Sequence, residues 1–443
     1  MRKTRMFTLP KNTKPTGEVL ALLICKHKKD VERYDTLEKY LDADEPVTMR
    51  DRQPKSMLVI NNFANYIVQM NAGFLVGTPA EYQFTKRVDA SVLTKAYDDQ
   101  VISDLDSDLA EDSAAFGRAY ENIYIDEDGS INSSLMSVRS TIVVYDNTVR
   151  HKKMFAFSYV HRCDKNGKEA KDAYDITVWD DKNISEAKLA GVVLSGLKSE
   201  PHKLNDVPVI EYANNRRYRG DFERVISGID AYNILQSNRV NDREKLLDAI
   251  LAFYNVTMTP EEKEMMLEAR VVTLPEDSKA EYILKNINES DAETLRQSIA
   301  EDIHKFSLTP DLTDKEFAGN ASGVALEFKL IAFILNLRNK ERSFEQALME
   351  RFKIYNGFFV TKSQMKAIPV SEVDVLFKRT MPRNDFETSR MIANLEGMVD
   401  KATLISQLSF IQDGEEIAKL ADAEGAVEAG SYGTGGAAER TAE

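Results

Sequence analysis

An α+β fold follows from three observations. Residues 320–359 hold neither proline nor glycine between Val324 and Asn356 and keep apolar residues at helical spacing, which predicts one long helix. Residues 119–212 switch to short segments rich in β-branched and aromatic residues, with Asp128-Gly129 and Asn166-Gly167 as hairpin turns, which predicts strands. Residues 221–253 and 291–307 return to helical spacing on either side of a small insert. A chain of 443 residues, 43% hydrophobic and 29% charged, exceeds one ordinary core, so two or more domains are expected.

The N-terminal 17 residues are basic with two prolines and are expected to be mobile, followed by a helix over 18–41. Prolines and charges over 42–56 read as a linker. Residues 57–76 are strongly apolar and predict a buried helix, which Gly77-Thr78-Pro79 ends before a strand over 81–84. The next stretch carries Asp98, Asp99, Asp104, Asp106, Asp108, Glu111 and Asp112, the kind of carboxylate cluster a metal-dependent nuclease uses. It also mimics the start of a calcium loop, but Leu109 stands where that loop needs glycine and Ala115 where it needs glutamate. Val101, Leu105 and Leu109 recur every four residues, so a helix with a solvated acidic face is the expectation.

Strands are predicted over 120–125, 141–145, 154–161, 175–179 and 208–212. Arg216, Arg217 and Arg219 follow the last of them, as phosphate ligands, a solvated loop, or ion-pair donors to a neighbouring subunit. The insert over 254–290 opens on Thr259-Pro260-Glu261-Glu262, a helix start, and continues with a short helix to Arg270 and strands over 269–274 and 279–284. With so few apolar positions it is marginal alone and must pack against something outside its own chain. On the second flanking helix Leu295, Ile299, Ile303 and Phe306 share one spacing. Residues 309–321 hold a proline, a glycine and charges, and predict an exposed loop.

The long helix takes Ser322 as its N-cap and Gly357 as its C-terminal cap. Its first half, to Leu337, is apolar on all sides and is expected to be enclosed. Beyond Arg338 a single stripe of Phe344, Leu348, Phe352 and Tyr355 remains, with Lys340, Glu341, Arg342, Glu345 and Glu350 on the other faces. A strand over 373–377 and helices over 387–421 complete the fold, and the glycine- and alanine-rich residues 425–443 are expected to be disordered.

The net charge of -14 and the pI near 5.1 argue against a protein that wraps DNA, which needs a basic face to release counterions. A like-charged wall past which DNA slides is compatible with them. Cys25 and Cys163 make no disulfide framework, and Cys25-x-His27 with His161-x-Cys163 lacks structural zinc spacing. The apolar run over 19–24 is short and runs directly into Lys26, His27, Lys28 and Lys29, unlike a signal peptide. No apolar run reaches the ~18 to 20 residues of a membrane span, so a soluble chain, cytoplasmic when made, is expected. Gly167-Lys168 is followed by Glu169 rather than by the residues of a P-loop, and Gly319 to Gly323 has the wrong spacing for a nucleophile elbow. No enzyme activity, cofactor or metal is therefore expected.

Several strings and their order resemble the portal proteins of tailed bacteriophages, in the family typified by siphoviruses of Gram-positive hosts. They are NNFANYIVQMNAGFLVGTPAEY from Asn61, VPVIEYANN from Val207, ERVISGIDAYNILQSNRVND from Glu223, SGVALEFK from Ser322 and FKRTMPRNDFE from Phe377. The likeness runs from about residue 55 to 420. It implies an N-terminal arm (1–50), an α/β wing (51–222 and 322–385), two stem helices (223–253 and 291–308) bracketing a clip (254–290), a tunnel loop (309–321), a helical crown (386–424) and a tail (425–443). It implies a ring of twelve copies at one capsid vertex, the channel for double-stranded DNA packaging and ejection. Its implied partners are the terminase large subunit, a head-tail adaptor protein, and the major capsid and scaffolding proteins, with no membrane. The ring would be made in the host cytoplasm and kept in the virion. By the same resemblance Thr313, Asp314, Lys315, Glu316 and Phe317 form the loop toward DNA. Arg239 and Lys305 are candidate charges on the stem, and Glu261, Glu262, Lys263, Glu276 and Asp277 a docking surface on the clip. A nuclease built on the Asp98 to Asp112 carboxylates, or a minor capsid or scaffold protein without a channel, are the alternatives.

Overall fold

The structure, a computed structural model, describes residues 6–44, 57–85, 88–163, 169–247, 250–255, 259–260, 277–283, 289–312, 323–378, 385–395, 400 and 403–404. Residues 313–322, most of the insert and the tail at 425–443, for which the sequence makes specific predictions, lie outside these. The chain divides into two units, one of residues 1–310 with 336–377 and one of 311–335 with 378–443.

In the first unit a six-stranded sheet has the order β1-β5-β6-β7-β8-β9. Its strands are β1 (Phe7–Leu9), β5 (Thr141–Asp146), β6 (Lys153–Cys163), β7 (Glu169–Trp179), β8 (Asn183–Ala190) and β9 (Val193–Pro201). All neighbours are antiparallel except β1, which lies parallel to β5, Phe7 opposite Val144. The stretch expected to be mobile therefore supplies an edge strand. Helix α1 (Gly17–Leu41) covers one face of this sheet, burying Leu20, Leu23 and Ile24 with Ile142, Phe155, Phe157 and Ile176. Strands β4 (Ile131–Met136), β8 and β9 were not predicted. β9 is exposed along nearly its whole length, so it has no apolar alternation to reveal it.

A second sheet, β10-β3-β4, is antiparallel and pairs β10 (Val209–Ala213) with β3 (Arg118–Ile125), Glu211 opposite Tyr120 and Ile210 opposite Glu121. Helices α3 (Ser91–Asp99) and α4 (Ile102–Phe116) precede it. α4 ends on Gly117 at φ +88°, and a Cβ there would sit 2.4 Å from the Tyr218 backbone, so only glycine fits the turn. β2 (Glu81–Phe84) pairs with β13 (Val373–Leu376).

Helix α2 (Phe63–Val76) is capped by Asn62, whose side chain accepts a hydrogen bond from the Asn65 amide. Residues 57–62, predicted as part of this helix, lie outside it and in no strand. Helix α5 (Ile226–Leu247) is followed by strand β11 (Ile250–Tyr254), which the sequence placed at the end of the helix. β11 pairs antiparallel with β12 (Lys279–Ile283), and helix α6 (Glu289–Ser307) returns.

The long helix α7 (Gly323–Thr361) runs 39 residues, about 58 Å. Gly357 lies within it rather than capping it, because Phe358 and Phe359 beyond it are buried. Burying two phenylalanines outweighs the ~1 kcal/mol that glycine costs a helix. Leu348, Phe352 and Tyr355 join a core with Leu93, Tyr97, Leu109, Ile123 and Tyr212. The first half of the helix is less enclosed than expected. Leu330, Phe333 and Leu337 are buried, but Ile331 and Leu335 are half exposed. In the second unit helix α8 (Asp385–Leu395) is the other described element.

Candidate functional site

Two buried arginines organise the first unit, one on each face of the β10–β3 pair. On one face Arg118 Nη1 donates to Glu211 Oε1 at 3.0 Å, and Glu211 Oε2 accepts from the Tyr145 hydroxyl at 3.0 Å. On the other face Arg351 of α7 donates from Nε to Glu121 Oε1 at 2.7 Å and lies 2.6 Å from Asp106 Oδ1 of α4, while the Tyr212 hydroxyl donates to Glu121 at 2.6 Å. Burial pushes the Asp106 carboxyl up to about 6 against the pull of Arg351. Asp106 thus belongs to the core and not to the solvated acidic face predicted for it. Lys340, placed by its spacing on an outer face of the helix, is also buried and pairs with Asp221.

Helices α5 and α6 run antiparallel and are held by polar contacts along their length. Arg239 pairs with Glu293 at 3.1 Å, and Arg296 donates to the Tyr232 hydroxyl at 3.0 Å. Where the two cross at Gly228, a Cβ would meet Ile303 at 3.2 Å. Residues 57–61 lie along α5. The amides of Met57, Val59 and Asn61 donate to the side chains of Asn241, Ser237 and Asn233 at 2.7 to 2.9 Å. Those three buried side chains fall at four-residue intervals on α5, so one helix face satisfies alternate amides of a segment that lies in no helix or strand. Helix α2 secures the end of α6: the Tyr66 hydroxyl donates to the Pro310 carbonyl at 2.8 Å, and Asn71 donates to the Thr309 hydroxyl at 3.0 Å.

Among the candidate site residues, Thr313, Asp314, Lys315, Glu316, Phe317, Glu261, Glu262, Lys263 and Glu276 lie outside the described residues. Asp277 is exposed in the turn entering β12. Arg239 is engaged between the two helices, whereas Lys305 is exposed on α6. On that helix Ile303 is buried, but Leu295 and Phe306 are more than half exposed, so the apolar spacing there does not mark one buried stripe.

Asp98, Asp99, Asp104, Asp108 and Glu111 are exposed, and among the described residues no group of three or more His, Cys, Asp or Glu side chains is placed to hold a metal. His27 is buried and shares a 2.8 Å hydrogen bond with the Tyr159 hydroxyl, and burial lowers its pKa to about 3. Cys25 and Cys163 are free and exposed.

A polar cleft of about 270 Å³ opens beside the arginine loop that follows β10. Asn214, Asn215, Arg216, Asp221, Arg224 and Lys340 contribute to its wall. Burial holds the Lys340 ammonium below the usual lysine range, Asp221 opposing the shift and Arg224 adding to it.

Residues 20–429 match the model of a phage structural family, the portal proteins. The chain belongs to the family described as phage portal protein, SPP1 Gp6-like. It is 23% identical over 402 residues to the portal protein of Clostridium phage phiCD119, covering 84% of this chain and 87% of that one. To the portal protein of Bacillus phage SPP1 it is 21% identical over 364 residues, covering 79% of this chain and 72% of that one. Among the described residues no helix is long and apolar enough to cross a membrane.

Proposed function

We propose that the chain assembles into a closed ring of about twelve copies at one vertex of a phage capsid and that double-stranded DNA enters and leaves the head through its axis. The observation that carries this is the antiparallel α5–α6 pair ending in the β11–β12 ladder, in a chain that matches the portal family along most of its length. A two-stranded ladder exposes unpaired edges and buries little alone, which suits a clip completed by its neighbours in a ring. The helix pair is the stem, and the contacts of Arg239 and Arg296 stiffen it.

Residues 309–321 are the loop toward DNA, Thr313, Asp314, Lys315, Glu316 and Phe317 are its DNA-facing residues, and Tyr66 and Asn71 hold Pro310 and Thr309 at its start. Lys305 is the exposed stem cation, and Arg239 holds the stem together instead of meeting DNA. Glu261, Glu262, Lys263, Glu276 and Asp277 lie on the clip surface that receives the terminase large subunit during packaging and a head-tail adaptor protein afterwards. The wing and crown meet the major capsid and scaffolding proteins, and the ring remains in the virion. The channel itself works mechanically and electrostatically, since a net charge of -14 per copy repels phosphate along most of the wall.

Native mass spectrometry with averaged end-on electron micrographs tests the reading. The expected result is a species of about 600 kDa, twelve subunits of 50.1 kDa, with a central hole wide enough for a DNA duplex. An assembly of that mass with no axial hole would overturn it.

A further inference from the structure

The loop between β10 and α5 carries Arg216, Arg217, Arg219 and Arg224, all exposed and none with an ion-pair partner among the described residues. The two carboxylates in the same stretch are already committed elsewhere: Asp221 pairs with Lys340 and Glu223 with Arg33. Among the described residues these four positive charges therefore stand uncompensated in a chain whose net charge is -14, and two of them, Arg216 and Arg224, line a polar cleft.

An opposite patch lies on the same unit. Asp98 and Asp99 end α3, and Asp104 and Asp108 stand one turn apart on α4, all exposed and without an ion-pair partner among the described residues. The arginine loop is bonded to the other end of α4, through the Asp221 amide to the Ala114 carbonyl and the Asn214 amide to the Gly117 carbonyl. Twelve residues of helix separate Asp104 from Phe116, about 18 Å, too far for the two patches to neutralise each other within one chain. A head-to-tail ring needs two different, complementary patches on every copy. The cleft is also too small for a duplex, and the chain as a whole repels one, so a second copy suits it better than nucleic acid.

We infer that the arginine loop, with the cleft beside it, is one half of the contact between neighbouring copies and that its other half is the α3–α4 carboxylate face of the next copy. This rests on the ring reading above. The test is a charge-swap set followed by native mass spectrometry: Arg216→Glu with Arg217→Glu and Arg219→Glu, and separately Asp98→Lys with Asp104→Lys and Asp108→Lys. All six positions are exposed, and circular dichroism checks that each variant folds. Each triple variant alone lowers the ring fraction about tenfold or more, because like charges now face each other. Mixed one to one, the two form alternating rings, and a chain carrying all six changes forms rings by itself.

Rings formed as readily by the arginine variant as by the parent chain would overturn the contact and leave the ring reading intact. Loss of rings in both variants with no rescue by mixing or by the six-fold variant would overturn the pairing. A parent chain that never assembles across concentration and salt would instead overturn the ring reading, and the contact with it.

Discussion

Arg118 and Arg351 on one hand, and Arg216, Arg217 and Arg219 on the other, are the same residue type put to opposite uses. The first two are nearly inaccessible and are met within their own chain, Arg118 by Glu211 and the Tyr120 hydroxyl and Arg351 by Glu121 and Asp106. The other three are exposed and have no ion-paired carboxylate among the described residues. Charges that the chain satisfies itself hold the subunit together, and charges that it leaves unsatisfied are what it can offer to a neighbour. A buried cation without its partners costs several kcal/mol, so it fixes which strands and helices meet; an exposed one costs almost nothing until a partner arrives.

The most severe way to break this contrast is Arg351→Met, which fills the space but leaves Glu121 and Asp106 buried without their cation. We expect a loss of about 3–5 kcal/mol in denaturant unfolding. A loss under 1 kcal/mol would mean that the two carboxylates are protonated or hydrated without it. A middle case sharpens the acidic side. Asp112 on α4 is half-buried, and burial together with Glu111 and Asp108 pushes its carboxyl up to about 7 from the usual 3.8. The folded chain then holds that proton longer than the unfolded chain. Its contribution to stability is complete below about pH 4 and is lost as the pH rises through 7. Asp112→Asn removes the loss, so the variant should exceed the parent by about 1–2 kcal/mol at pH 8 and match it near pH 4. An equal difference at both pH values would show that titration is not the cause. The smallest effect is expected at the exposed end: Arg217→Ala should leave the unfolding free energy of the subunit within about 0.5 kcal/mol.

The sequence made one part of this contrast legible and hid the other. The arginine loop stands out because three arginines within four positions follow a strand, and a contact with a neighbouring subunit was among its open meanings. Helical periodicity sorts residues by polarity, so it puts Lys340 on an outer face and gives a charged residue such as Arg351 no place in the core. Arg351 sits beside Leu348, Phe352 and Tyr355 on the apolar stripe, and that placement was the available signal. Its partners are far away in sequence, Glu121 by 230 residues, so no local pattern joins them.

Residues 57–62 show the same limit in another form. Their apolar run continues into α2, yet Asn233, Ser237 and Asn241 hold them outside it. The α+β class, the long helix and the helix, insert, helix order needed only local periodicity, and they were read correctly. β11 was absorbed into the preceding helix because a short apolar run such as ILAFY fits either period, and its pairing with β12 decides the matter.

The most direct test of the account is a side-chain-resolution reconstruction of the protein assembled from purified chains. The account predicts a ring with α5 and α6 around the axis and Arg216, Arg217 and Arg219 at the subunit boundary against the α3–α4 face of the next copy. A ring with that arginine loop open to solvent would contradict it.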